Sequence, residues 1–293
     1  MKNRKNLITS LLGLFALLAA PLSAQNTSYW QQHVDYQMEV DMNVENFQYN
    51  GTQKLVYTNN SPEELSRVYF HMYFNAFQPG SEMDMRLQNI SDPDGRMTKK
   101  DKSSRIAVLT ESEIGYLHPT SLKQDGVDVT YNEEGTVLIV NLAKPIPSGG
   151  KTTFDMEFKG QVPVQIRRSG RNNKDGVALS MSQWYPKLAE YDFEGWHADP
   201  YVAREYYGVF GTFDVNISID YQYKIGGTGV ELTKESNWEV TEEKDGVKTL
   251  ELLKTKRGNR DWKFHAENVH DFAWAADKKY VRTQYDGPEG LEL

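Results

Sequence analysis

Strict alternation of apolar and polar residues constrains this chain more than any other feature. Along residues 34–44, Val34, Tyr36, Met38, Val40, Met42 and Val44 fall on one face, and Asp35, Gln37, Glu39, Asp41 and Asn43 on the other. A period of two places successive side chains on opposite sides of a strand, so this stretch reads as a long, half-buried β-strand. The pattern returns at Leu55 and Tyr57, at Val68, Phe70, Met72 and Phe74, and in stretches 136–142, 152–158, 213–219, 247–253 and 262–274, with Gly, Pro, Asn and Asp between the runs. Asn50-Gly51 reads as a hairpin turn and Asn59-Asn60-Ser61-Pro62 as a second turn. No stretch sustains an amphipathic helix for three turns. The expected fold is therefore all-β, a sandwich or curved antiparallel sheet.

Composition narrows the function classes. A chain of 293 residues that is 39% hydrophobic and 25% charged has ample material for one large domain or two small ones. A net charge of -8 argues against a strongly basic nucleic-acid surface. With no cysteine, disulfides, thiolate zinc sites, iron–sulfur clusters and cysteine nucleophiles are excluded, and any metal would need His and carboxylates.

Residues 1–24 read as an address rather than as structure. Lys2, Arg4 and Lys5 form a positive start, residues 7–20 are mostly apolar, and Leu22-Ser23-Ala24 ends in the small residues that signal peptidase prefers. This resembles a bacterial export signal, cleaved after Ala24, and implies a periplasmic or extracellular protein. The apolar run is short for a helix spanning roughly 30 Å of hydrocarbon, and no later segment is a candidate span.

Two regions interrupt the strand rhythm. Residues 78–124 are polar, with Pro79-Gly80, Asp92-Pro93-Asp94-Gly95 and the charge run Lys99-Lys100-Asp101-Lys102, and read as a solvated excursion with at most a helical turn. Residues 182–213 gather Trp184, Tyr185, Tyr191, Phe193, Trp196, Tyr201, Tyr206, Tyr207 and Phe210. These aromatics either pack a loop onto the sheet or line a ligand cleft.

Catalytic constellations are scarce. A zincin needs His-Glu-x-x-His, which places two imidazoles on one helix face beside a general base. The histidines at 33, 71, 118, 197, 265 and 270 never form it. His265 and His270, five apart in a strand-like segment, face opposite sides. There is no Gly-x-Ser-x-Gly elbow and no phosphate loop, and Gly226-Gly227-Thr228-Gly229 reads as a plain turn. Glu190, Asp192, Glu194 and Asp199 lie among the aromatics as carboxylates do in some sugar-cleaving sites, but in a chain with 41 acidic residues such clustering is weak evidence.

Three strings carry the reading further. They are Ser182-Gln183-Trp184-Tyr185-Pro186-Lys187, then Gly195-Trp196-His197-Ala198-Asp199-Pro200-Tyr201, then Glu205-Tyr206-Tyr207-Gly208-Val209-Phe210-Gly211-Thr212-Phe213-Asp214-Val215. Together they resemble the N-terminal domain of bacterial zinc metallopeptidases of peptidase family M1, the gluzincin aminopeptidases. Glu267-Asn268-Val269-His270-Asp271-Phe272-Ala273-Trp274-Ala275-Ala276 resembles the strand that closes that domain, and Tyr29-Trp30-Gln31-Gln32 with Asp35-Tyr36 fits its start.

The resemblance implies a saddle-like β domain over residues 25–280, with 281–293 the truncated start of the next segment, and a catalytic domain missing from this chain. The parent would be an exported, zinc-dependent aminopeptidase with a peptide substrate. The zinc of the parent is not expected on this chain, which lacks the family's His-Glu-x-x-His motif and its glycine-rich exopeptidase motif, so the chain alone is expected to be inactive. By the same resemblance Gln183 and Tyr185 are the substrate-binding residues. Gln183 matches the glutamine of the family's Gln-x-Glu pattern, and Tyr185 stands where the amine-binding glutamate would be. A phenol cannot offer a carboxylate's charge-assisted hydrogen bond to an ammonium. The alternatives are a self-standing exported β-rich module that binds peptide or glycan, or an independent carboxylate hydrolase.

Overall fold

The computed structural model describes residues 29–90, 92, 95–202, 207–254 and 257–291. The proposed signal residues 1–24, and Glu205 and Tyr206 of the third string, lie outside the described residues. Two units are distinguished, Met1–Trp30 and Gln31–Leu293. Only Tyr29 and Trp30 of the first are described, and the account below concerns the second.

The alternation at 34–44 becomes strand β1 (His33–Asn43), with Val34, Tyr36, Met38, Val40 and Met42 all buried and the acidic partners turned outward. It pairs antiparallel with β2 (Gln48–Thr58) and parallel with β14 (Gly211–Asp220). The full sheet has eight strands in the order β16 (Val230–Glu231), β19 (Asn259–Val269), β14, β1, β2, β8 (Lys151–Gln161), β4 (Tyr116–Gln124) and β5 (Val127–Asp128), and β1–β14 is its one parallel pair. Gly211 starts β14 because the chain passes hard against β1 there: a Cβ on it would lie 1.7 Å from the Val34 carbonyl oxygen.

One sheet face carries the core. Against it lies a four-stranded sheet, β11 (Lys187–Leu188), β3 (Leu65–His71), β7 (Val137–Ile146) and β6 (Thr130–Glu134), with the Phe70 and Phe154 rings meeting edge-on at 5.8 Å. A second four-stranded sheet, β15 (Lys224–Gly227), β20 (Trp274–Asp277), β10 (Leu179–Met181) and β9 (Gly170–Arg171), closes the other end of the same core. The smaller sheets are β17 (Trp238–Lys244), β18 (Val247–Leu252) and β21 (Arg282–Tyr285), and the hairpin β12 (Tyr191–Asp192) with β13 (Gly195–Trp196). The fold is all-β, as the period of two implies. The opposite face of the large sheet stays polar, and a hollow of about 660 Å³ there is lined by Glu39, Lys54, Lys123, Asp155, Glu157 and Lys263 among others.

Three local expectations change. Asn50-Gly51 does not turn the chain but lies inside β2, because the Phe158 ring crosses Gly51 so closely that a Cβ would sit 2.3 Å from it. The turn falls instead just before β2, where the Asn43 side chain accepts from the Glu45 N–H at 2.8 Å. Residues 78–124 are more than a solvated excursion. They hold helix α1 (Glu82–Asn89), N-capped by Ser81, and supply Met83, Leu87, Met97 and Ile106 to a second apolar cluster with Tyr73, Phe77 and Tyr201. They end in β4, part of the large sheet. Gly226 and Gly227 belong to β15 rather than to a bare turn. No helix among the described residues is long and apolar enough to cross a membrane.

Candidate functional site

The strings that carry the resemblance meet in space. Residues Met181 and Trp274 pair across β10 and β20, and the chain then dives into the core, where Trp184 and Tyr185 are fully buried. Trp184 Nε1 donates to the Phe272 carbonyl at 3.0 Å, and the Tyr49 hydroxyl donates to the Trp184 carbonyl. Tyr185 Oη donates to Asp271 Oδ1 at 2.9 Å, which also accepts the Phe272 N–H at 2.9 Å. Its other oxygen, Oδ2, lies 3.5 Å from Lys187 Nζ, an ammonium on a residue only 2% exposed. Burial pushes the Lys187 ammonium below its ordinary range, against the pull of Asp271. The Tyr185 phenol is pushed up, first by burial and then by the Asp271 charge. Gly208 packs on the lysine stem, since a Cβ there would be 2.4 Å from Lys187 Cε. Tyr36 joins this group to the large sheet: its ring stacks on Phe213 at 4.8 Å, meets Tyr185 edge-on at 5.5 Å, and its hydroxyl accepts the Leu188 N–H at 2.9 Å.

Gln183 and Tyr185 are thus both interior. Gln183 is buried with φ +59, and its Nε2 has no hydrogen-bond partner among the described residues. The left-handed conformation breaks the extended run, so the rule that residues two apart share a face does not govern this pair. The hydroxyl of Tyr185 is committed to Asp271. A cavity of about 400 Å³ beside them is lined by Ser182, Met181, Thr228 and Trp274 but by neither residue.

The second group sits on the hairpin that follows β11. Gly195, at φ +100, lets the chain reverse between Asp192 and Gly195, and the His197 N–H donates to the Glu190 carbonyl at 2.9 Å. Asp192 Oδ1 lies 2.8 Å from His197 Nε2 and accepts the Glu194 N–H at 2.8 Å, while Oδ2 accepts the Tyr207 hydroxyl at 2.7 Å. Although burial opposes it, contacts from His197, Tyr207 and the Glu194 N–H hold the Asp192 carboxyl below its usual range. Glu190, 8% exposed, is pushed up to about 7 by burial and then by the Asp192 charge. His71 is pushed down to about 4 by burial and then by Lys187, so its neutral ring donates from Nε2 to the His197 carbonyl at 3.0 Å.

The aromatics of 182–213 divide between the interior and the surface. Trp184, Tyr185 and Tyr201 pack inside, whereas Phe193, Tyr207 and Phe210 are 83%, 50% and 46% exposed. The first group was not legible as a unit, because Tyr185 and Asp271 are 86 positions apart, whereas Glu190, Asp192 and Glu194 of the second stand together in the sequence. The signal for the first group was that Tyr185 and Asp271 both lie in the strings quoted above. Of the histidines considered as a metal pair, His265 lies between Asp214 and Glu267, and His270 lies against the Phe210 ring.

No family model and no curated protein matches the chain. Among solved structures it is similar to an M1 zinc metallopeptidase from Deinococcus radiodurans, at TM-score 0.40 and 12% identity over 84% of this chain and 41% of that one. A variant of that enzyme gives TM-score 0.41 and 13% identity, over 84% and 42% of the two chains. A variant bound to a Tyr-Ser-Ala substrate gives TM-score 0.39 and 11% identity, also over 84% and 42%. The chain spans about two fifths of the length of these structures.

Proposed function

We propose that this chain is the substrate-cleft β domain of an exported, zinc-dependent aminopeptidase whose zinc-binding catalytic domain lies outside these 293 residues. The observation that carries the reading is the meeting of two distant strings that resemble the same peptidase domain. The Trp184–Phe272, Tyr185–Asp271 and Lys187–Asp271 contacts tie them into one buried unit. Export rests on the charged, apolar and small-residue order of residues 1–24.

The residues present do not fit the family's zinc, because His-Glu-x-x-His is absent from the whole sequence, and no step of peptide hydrolysis is assigned to this chain. What the chain contributes is a wall. Its part in the reaction is to position the peptide, with Gln183, buried here but with an Nε2 unpartnered among the described residues, carrying the substrate-binding role that the resemblance implies, and Tyr185 holding the segment through Asp271. The test is kinetic, on the native protein that carries this chain. Gln183→Ala should lower kcat/KM for aminoacyl anilides by roughly tenfold, the value of one hydrogen bond to a charged or polar group. Unchanged constants in a folded variant would refute the role.

A second reading, an exported module that binds peptide or glycan by itself, is favoured by the exposure of Phe193, Tyr207 and Phe210 on one short stretch. Saturable binding of peptide or glycan to the chain, with no hydrolytic activity in the native protein, would select it.

A further inference from the structure

We propose that the hairpin holds a divalent metal site of its own, formed by Asp192, Glu194 and His197 and suited to zinc. One ligand atom from each residue lies within 4.8 Å of the other two. This site is independent of the proposed peptidase zinc, and either can fail without the other.

Geometry separates this cluster from the other histidine–carboxylate contacts. His265 also has two carboxylate neighbours, but Asp214 faces Nδ1 and Glu267 faces Nε2, on opposite edges of the ring, so no single ion could touch all three groups. His118 and His33 each face one carboxylate, Glu133 and Asp35. Only at the hairpin, among the described residues, do three donors converge.

The donors are also held in place. The two backbone groups of His197 are both bonded, its N–H to the Glu190 carbonyl at 2.9 Å and its carbonyl to His71 Nε2 at 3.0 Å. Tyr207 fixes Asp192 by bonding Oδ2, which leaves Oδ1 toward His197. Such outer partners are what orient metal ligands. His197 Nε2 already faces Asp192 Oδ1 at 2.8 Å, so these two donors converge on one point. A divalent ion would replace this direct contact, with the two ligand atoms moving apart by a few tenths of an ångström to about 2.0 to 2.2 Å from the metal. Glu194 is exposed, so its side chain is free to close the remaining gap.

The donor set decides the metal class. One imidazole and two carboxylates suit a borderline divalent ion at about 2.0 to 2.2 Å, with water in a fourth position. Calcium, which takes about six to eight oxygens, is poorly served. The expectation that this chain binds no metal rested on the absence of a histidine pair at metal-ligand spacing and of cysteine, a criterion that a mixed-donor hairpin escapes.

The test is titration calorimetry of the chelator-stripped chain with zinc chloride, with calcium chloride as the hard-cation control. The site predicts one zinc per chain and no calcium uptake. His197→Ala and Glu194→Gln should each weaken zinc at least tenfold, and Tyr207→Phe by roughly ten- to a hundredfold, while His265→Ala leaves binding unchanged. Glu194→Gln guards against misfolding, since that residue bonds only through its backbone N–H in this cluster. Absence of zinc binding, binding lost in His265→Ala, or binding retained in both His197→Ala and Glu194→Gln would overturn the assignment.

Discussion

Glu190 couples the stability of the fold to pH. Its carboxyl is buried beside Asp192 and titrates at about 7 in the folded protein, against an ordinary value of 4.5. Below pH 4.5 both folded and unfolded chains hold the proton, and the residue is neutral to stability. Between 4.5 and 7 the unfolded chain releases it while the folded one keeps it, so stability falls as pH rises through this window and stays low above it. A tenfold change in proton affinity is worth about 1.4 kcal/mol, which sets an upper bound of about 3 kcal/mol on the cost, and solvent screening brings it to about half. Glu190→Gln keeps the shape and an acceptor but has no proton to lose. It should be more stable than wild type by about 1.5 to 3 kcal/mol at pH 8, with the gain vanishing toward pH 4.5. Urea midpoints for both proteins across this range, with chelator present to keep the neighbouring carboxylates metal-free, measure it. Parallel curves, with no pH-dependent gap, would refute the claim that burial and Asp192 burden this carboxyl.

Three further changes probe the framework around it. Lys187→Met leaves Asp271 buried beside no cation and should cost about 3 to 5 kcal/mol, and adding Asp271→Asn should recover most of that in the same urea assay. Tyr185→Phe removes one hydrogen bond to Asp271 and should lower stability by about 1 to 3 kcal/mol, read from the thermal midpoint. Gly211→Ala forces a Cβ to 1.7 Å from the Val34 carbonyl and should prevent the native β1–β14 pairing, seen as loss of soluble, cooperatively unfolding protein.

Long strands were legible where one face is buried and the other wet, as in β1, because burial imposes the period of two directly. Gly51 misled for a physical reason: glycine signals a turn through its backbone freedom, whereas here it makes room for the Phe158 ring on a neighbouring strand. Helix α1 was missed because its eight residues are polar on most sides and bury only Met83, Asp84 and Leu87. The candidate site was legible as strings but not as contacts. Nothing local to Lys187 points to Asp271, and nothing in Ser182-Gln183-Trp184 announces that Gln183 turns left-handed and that Tyr185 leaves solvent altogether. That burial also changes what a substitution there means. Tyr185→Glu would set a second carboxylate against Asp271 in the core rather than offer one to a substrate amine.

We propose that this chain walls the substrate cleft of a zinc aminopeptidase without supplying its zinc. Hydrolysis of free and N-acetylated aminoacyl anilides, by the native protein that carries the chain and by the 293-residue chain alone, addresses it most directly. The expected result is chelator-sensitive cleavage of the free-amine substrates by the native protein and none by the chain. Chelator-sensitive cleavage by the chain alone, or no cleavage by the native protein, would contradict it.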